Sequence, residues 1–296
     1  MTAVALVGSS GLIGSGIVEA LRGNAQLVSL SRRSVPSFDI TDIESVRRGL
    51  PKKIDSLVHA AGIINELTED TNSALRYSGE YTYRLFEEAR QRGMQKLVYM
   101  SSQHVYGVTD GRITESSPLR PQSTYALCHQ LSEDIAAYFS RKYSIRVLIL
   151  RPTAVYGFLP SIEGFQRWSL IPYSFPRSLV ESGKIVLKSS GLQSRQFVSS
   201  VRLGGYVKNF LRSSGEPIEI LNPQGEECMT VLDFARYCGT VYKEVTGNDF
   251  RIEAAQATAE DLSLRPLEYI SSKPAPQERL DLGSFVRRML LSLRKP

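Results

Sequence analysis

Cysteine is scarce in this chain of 296 residues. There are three, Cys128, Cys228 and Cys238, an odd number without metal-ligand spacing. That composition argues against a disulfide framework, a zinc site or any other metal centre, and fits reduced thiols. Long apolar runs are missing too: none reaches the roughly 18 residues that a spanning helix needs. No basic segment with an apolar stretch precedes the opening AVALVG. A cytoplasmic protein with no membrane span is the expectation. The segment 223–296 holds no internal repeat and no low-complexity linker, which excludes a repeat array there. A recognisable nucleic-acid module is also absent. The formal charge of +6 comes from scattered basic residues, so an anionic small molecule is the expected partner and nucleic acid is not. The densest basic cluster, VRRMLLSLRKP at 286–296, reads as an amphipathic helix docked on its own domain.

What is present is a rhythm. The apolar runs AVALVG (3–8), AQLVSLS (25–31), SLVHAAG (56–62), KLVYMSS (96–102) and IRVLILR (145–151) alternate with helical segments at 12–22, 42–50, 69–92 and 124–142. Continuous apolar strands separated by helices predict an α/β fold, a Rossmann-type doubly wound parallel sheet buried on both faces. After residue 157 the rhythm loosens into a proline- and aromatic-rich stretch, and PIEILN (217–222) resumes it. The predicted division is a dinucleotide-binding domain at 1–157 and 196–222, with a smaller, discontinuous substrate lobe at 158–195 and 223–296.

The first chemical signal is VGSSGLIGSG, with Gly8, Gly11 and Gly14 between the first strand and the first helix, and with Ser10, Leu12 and Ile13 among them. Glycines there permit a tight turn and let the backbone approach a pyrophosphate, which the helix N-terminus favours. At the end of the second strand an acid would grip the ribose of NAD. The chain instead reads LSRR, and Arg32 and Arg33 favour the 2′-phosphate of NADP, NAD being the less favoured cofactor.

The spacing GxxGxxG resembles the short-chain dehydrogenase/reductase superfamily in its extended branch, the NAD(P)-dependent epimerases and dehydratases. VHAAG (58–62), DITD (39–42), SSQHVYG (101–107), RPTAVYG (151–157) and SRQFVSSV (194–201) follow in the order that branch shows. The resemblance implies that Ala60 and Ala61 line the cofactor, that Asp39 and Ile40 flank the adenine, and that Pro152 lies beside the nicotinamide. It makes Tyr125 of STYALCHQ the acid–base group of the Tyr-x-x-x-Lys pair and Ser102 a donor to the same substrate oxygen. Gln103, His104 and Arg195 would meet substrate, Arg195 as the arginine that receives a diphosphate.

Two departures shape the functional expectation. Gln103 and His104 stand where dehydratases of the branch carry acids, so dehydration is disfavoured. His129 stands where the branch has lysine, one helical turn from Tyr125. An imidazole with its ordinary titration would carry charge near pH 6 to 7 and donate to the cofactor ribose. The resemblance therefore implies a reductase or epimerase acting on a keto or hydroxyl centre, with a nucleotide-linked sugar as its small-molecule partner and with self-association as a homodimer left open. The competing expectation is a dinucleotide-binding relative with little turnover, serving as a sensor or partner-binding module.

Overall fold

The computed structural model describes residues 3–64, 67–108, 110–159, 162 and 165–294. The first half runs β1 (Ala3–Val7), α1 (Leu12–Leu21), β2 (Gln26–Leu30), α2 (Ile43–Gly49), β3 (Ser56–His59), α3 (Thr71–Arg76), α4 (Thr82–Gln91), β4 (Lys96–Met100), β5 (Arg112–Ile113), α5 (Thr124–Tyr143) and β6 (Arg146–Leu150). Then come β7 (Ala154–Tyr156), α6 (Ile171–Ser182), β8 (Lys184–Val186), β9 (Ser194–Ser199), α7 (Ser200–Arg212), β10 (Ile218–Leu221), β11 (Glu227–Thr230), α8 (Val231–Thr246), β12 (Arg251–Glu253), α9 (Ala259–Ser263), β13 (Glu268–Tyr269) and α10 (Leu282–Leu293).

The main sheet is six-stranded and parallel in the order β10-β6-β4-β3-β1-β2. Its central strands are largely apolar because both faces are covered, whereas the edge strand β2 exposes Gln26 and Ser29. Val4 and Leu6 point toward α1 and α7, packing with Ile17, Leu21, Val207 and Phe210. Ala5 and Val7 point the other way, toward Val46 of α2, Phe86 of α4 and Phe139 of α5. The strand order reverses at β1, whose neighbours are β2 and β3, and a crevice opens at the carboxyl ends of such strands.

Helices α1 and α7 meet through glycine. An added Cβ at Gly204 would lie 2.6 Å from the Gly16 carbonyl oxygen, and one at Gly16 would collide with the Ser200 backbone. The two backbones therefore touch directly.

The second lobe is built on a three-stranded sheet, β11-β9-β7, and the pair β12-β8. Phe197, Phe234, Tyr173 and Phe285 fill its core. Two boundaries differ from the sequence-based division. Ala154–Tyr156, placed with the first domain, pairs with β9 in the second sheet, and residues 196–199 belong to that sheet as well; the main sheet takes up the chain again at β10. The cause is local: after Leu150 the chain passes through Pro152, and Val155 and Tyr156 bury into the lobe core. The predicted helix 69–92 is also interrupted, by a π-helical stretch at Tyr77–Tyr81 between α3 and α4. As expected, the basic C-terminal segment folds back as α10, with Phe285 against Tyr156 and Tyr173. Among the described residues no helix is long and apolar enough to cross a membrane.

Candidate active site

A cleft of about 540 Å³ lies over the carboxyl ends of β1, β2, β3 and β4. Its floor is the turn between β1 and α1, where Gly8, Ser10, Gly11, Leu12 and Ile13 all border the space. Gly8 has a φ of +88°, which only glycine adopts freely, and its missing side chain lets Ala60 and Ala61 come close. Gly14 does not line the cleft: a Cβ there would strike the Gly8 carbonyl, so this glycine lets the helix sit tightly on the turn. Helix α1 starts at Gly11 without a side-chain cap, leaving its first N–H groups directed at the floor. This cradle fits a pyrophosphate.

Arg32, Arg33, Asp39 and Ile40 form one end wall, with Ala60 and Ala61 beside them. Both arginines are exposed, and the Arg33 backbone N–H donates to the Ser31 hydroxyl at 3.2 Å. Asp39 is occupied locally, accepting from the Thr41 N–H and hydroxyl at 2.9 Å each. Across from it Tyr77, the first residue of the π-helical stretch, donates its hydroxyl to the Ala61 carbonyl at 2.7 Å.

The other end holds Tyr125 and His129. Ser123 caps α5 by accepting from the Ala126 N–H, and the helix then presents Tyr125 and His129 to the cleft on one face. Their rings meet edge to face, 4.6 Å between centroids. On its far side Tyr125 meets His104 at 5.8 Å. His104 in turn lies within the field of Arg195, which adds to burial in lowering the His104 pKa. The His104 backbone N–H donates to Ser102 Oγ at 3.3 Å, and the Gln103 N–H donates to the Pro152 carbonyl at 3.0 Å. Ser102, Gln103, His104, Pro152 and Arg195 thus form a second group beyond Tyr125, outside the lining of the cleft. Ser101, the neighbour of Ser102, lines the cleft instead. Among the described residues no carboxylate pairs with Arg195, and burial lowers its pKa.

His129 corrects an expectation. It is only 3% exposed, and burial, reinforced by the nearby charge of Arg167, pushes its pKa down to about 3. The ring is neutral near pH 7 and supplies no cation to the cleft. Its Nδ1 lies 2.9 Å from the Tyr99 hydroxyl, while Nε2 is buried without a hydrogen-bond partner. Sequence reasoning also missed Phe165, Gln166 and Arg167, which close the cleft from the second lobe, and Tyr77. Neither group carries a motif. Only the proline- and aromatic-rich composition of the stretch from 158 to 195 marked the first as unusual.

The fold and the glycine-floored cleft define a dinucleotide-binding α/β protein with an added lobe. The chain belongs to the NAD dependent epimerase/dehydratase family, whose pattern matches residues 4–201. Uronate dehydrogenase of Pseudomonas putida is 27% identical over 159 residues, covering 49% of this chain and 58% of that protein. dTDP-D-glucose 4,6-dehydratase of Mus musculus is 26% identical over 246 residues, covering 79% and 61%. The chain thus spans about three fifths of the length of these relatives. Among solved structures, UDP-glucose 4-epimerase of Thermotoga maritima with UDP-glucose superposes with a TM-score of 0.78 at 18% identity, over 99% of each chain. RMD from Pseudomonas aeruginosa complexed with NADPH gives 0.76 at 17%, over 99% of this chain and 98% of that one.

Proposed function

We propose that this chain is an NADP-dependent reductase or epimerase that acts on a keto or hydroxyl centre of a nucleotide-linked sugar. The observation that carries the reading is the place of Tyr125: at the end of a glycine-floored cleft, between His129 on the cofactor side and His104 with Arg195 on the other. The nicotinamide, when bound, supplies or takes up hydride. Tyr125 holds the proton that the substrate oxygen gains or loses, and Ser102 orients that oxygen. Arg195, half-buried and without a carboxylate partner among the described residues, suits a diphosphate, since a guanidinium matches phosphate oxygens in pairs. The sugar and nucleotide-sugar names of the relatives agree with this chemistry. Gln103 and His104 lack the acidity that elimination of water requires, which favours reduction or epimerisation over dehydration.

Arg32 and Arg33 at the adenosine end support NADP over NAD. Structures of this fold have been solved with NADPH in one case and with NAD in another, so the fold itself accommodates both.

The test is mass spectrometry of ligands that co-purify, followed by a panel of uridine-, thymidine- and guanosine-diphosphate sugars with each cofactor. Net consumption of NADPH identifies a reductase, and a retained cofactor with sugar interconversion an epimerase. The neutral His129 is the observation that favours the second reading, a cofactor-holding relative with little turnover. Tight cofactor binding with no sugar nucleotide converted selects that reading.

A further inference from the structure

We propose that Tyr99 is a positioning residue that holds His129 in one neutral tautomer, with the proton on Nε2, beside the cleft at the position where the family pattern has a lysine. The inference rests on the reading of Tyr125 and the cleft given above.

Tyr99 sits on β4, in the middle of the main sheet, and is 1% exposed. Burial raises its pKa well above the ordinary phenol value, so the hydroxyl keeps its proton. A buried phenol has one proton to place, and leaving it unplaced is costly. The hydrogen bond that Tyr99 makes is the 2.9 Å contact to His129 Nδ1. The neighbouring Ser132 hydroxyl donates to the Ser78 carbonyl at 2.9 Å and lies near enough to Tyr99 to offset a part of the burial effect on its pKa. Donation from Tyr99 makes Nδ1 an acceptor. A neutral imidazole then carries its hydrogen on the other nitrogen.

The surroundings keep the ring from turning over. Tyr125 lies edge-on at 4.6 Å, and the carbon between the two nitrogens faces Gly62, where an added Cβ would come within 3.1 Å. Exchanging the two nitrogens would take Nδ1 away from Tyr99. The Ile63 backbone lies close enough to favour a protonated ring, and Nε2 itself has no hydrogen-bond partner. His59, whose two nitrogens are likewise buried without partners, packs its ring against Tyr99 at 5.7 Å. A donor so arranged serves a ribose hydroxyl. It cannot favour an ionised Tyr125 by charge, which separates its role from that of a lysine.

The decisive measurement is a long-range 15N–1H spectrum of protein labelled at histidine, taken without ligand. The chain has three histidines, so His129→Gln assigns the relevant signals. The expected result is a neutral Nε2–H ring at position 129 that does not titrate between about pH 5.5 and 8.5. A proton on Nδ1, or a titration within that range, overturns the proposal.

A second measurement compares NADPH affinity across a double-mutant cycle. Tyr99→Phe should weaken binding about five- to tenfold in the His129 protein and less than about twofold in His129→Lys, because an ammonium needs no partner to fix its donor. Equal losses in the two backgrounds overturn the proposal, since a purely structural tyrosine would affect both alike. Both readouts are made without substrate. A fixed tautomer and the unequal losses support the role of Tyr99 even if no sugar nucleotide is converted, and that absence would count only against the catalytic reading.

Discussion

Two polar residues stand one turn apart on α5, His129 and Glu133, and burial alone does not tell them apart: they are 3% and 4% exposed. Their hydrogen bonding does. Glu133 receives Nε and Nη2 of Arg151 at 3.0 and 2.7 Å and also the Ser101 hydroxyl. Arg151 passes a third bond to the Tyr106 hydroxyl at 2.8 Å, which donates to Asn222 at 2.8 Å, and its carbonyl accepts from Tyr269 at 2.6 Å. Burial pulls the Arg151 pKa down, but its bonds to Glu133 outweigh this and raise it. This network ties α5 to β6 and to the C-terminal segments and leaves nothing to bind. His129 has one nitrogen satisfied and one vacant. A completed buried network marks architecture, and an incomplete one beside a cleft marks a place prepared for a ligand.

The comparison can be broken at several points. The largest effect belongs to Glu133→Ala, which strands Arg151 in the interior and should cost about 3 to 5 kcal/mol in urea denaturation. A loss below about 1 kcal/mol would remove the distinction between the two sites. Tyr125→Phe should leave stability almost unchanged while turnover falls on the order of 10²-fold or more, with cofactor affinity within about twofold of wild type. Retained turnover would move the proton to another group such as His104, whose ring lies 5.8 Å from Tyr125 on the side away from His129.

Replacing Arg32 and Arg33 by alanine should weaken NADPH about tenfold and leave NADH nearly unaffected in fluorescence titrations. Equal affinities for the two cofactors in the intact protein would refute the 2′-phosphate assignment.

A further effect concerns pH. His129 is surrounded by Arg167, His104, His59, Tyr99 and Tyr125, and its pKa of about 3 leaves no step in the rate profile near pH 6 to 7. Stability should register it instead. A base whose folded pKa is depressed contributes fully above its unfolded value near 6.5, and the contribution drains away as pH falls toward the folded value. His59, lowered by burial to about 4, behaves in the same sense. Each histidine should add a slope of about 1.4 kcal/mol per pH unit in that window. Urea midpoints at several pH values should show a shallower acid loss for His129→Gln, and an unchanged slope would contradict the depressed pKa.

The glycine-turn end of the cleft was largely legible in the sequence because its parts are contiguous. Strand, glycine turn and helix lie within residues 3–21, and an apolar run declares a buried strand without help from elsewhere. Tyr125 and His129 were legible for the same reason, being four apart on one helix. The charge state of His129 was not, because it depends on burial and on Tyr99, thirty positions away in sequence. Nor was the departure of Ala154–Tyr156 to the second sheet, since a three-residue strand has too little pattern to name its partner. Arg167 comes to the cleft from the other lobe, and only the folded chain brings it there.

The glycine contact between α1 and α7 has a mechanical meaning. Helix α1 begins at the phosphate-sized turn, and α7 begins where β9, the strand of Arg195, ends. With no side chain between the two backbones at Gly16 and Gly204, there is no cushion of rotamers to take up strain. The joint acts as a weld, setting the span from the turn to Arg195 as a fixed gauge. A molecule held at both ends must match that gauge, while Phe165, Gln166 and Arg167, which border the cleft, stand outside the weld.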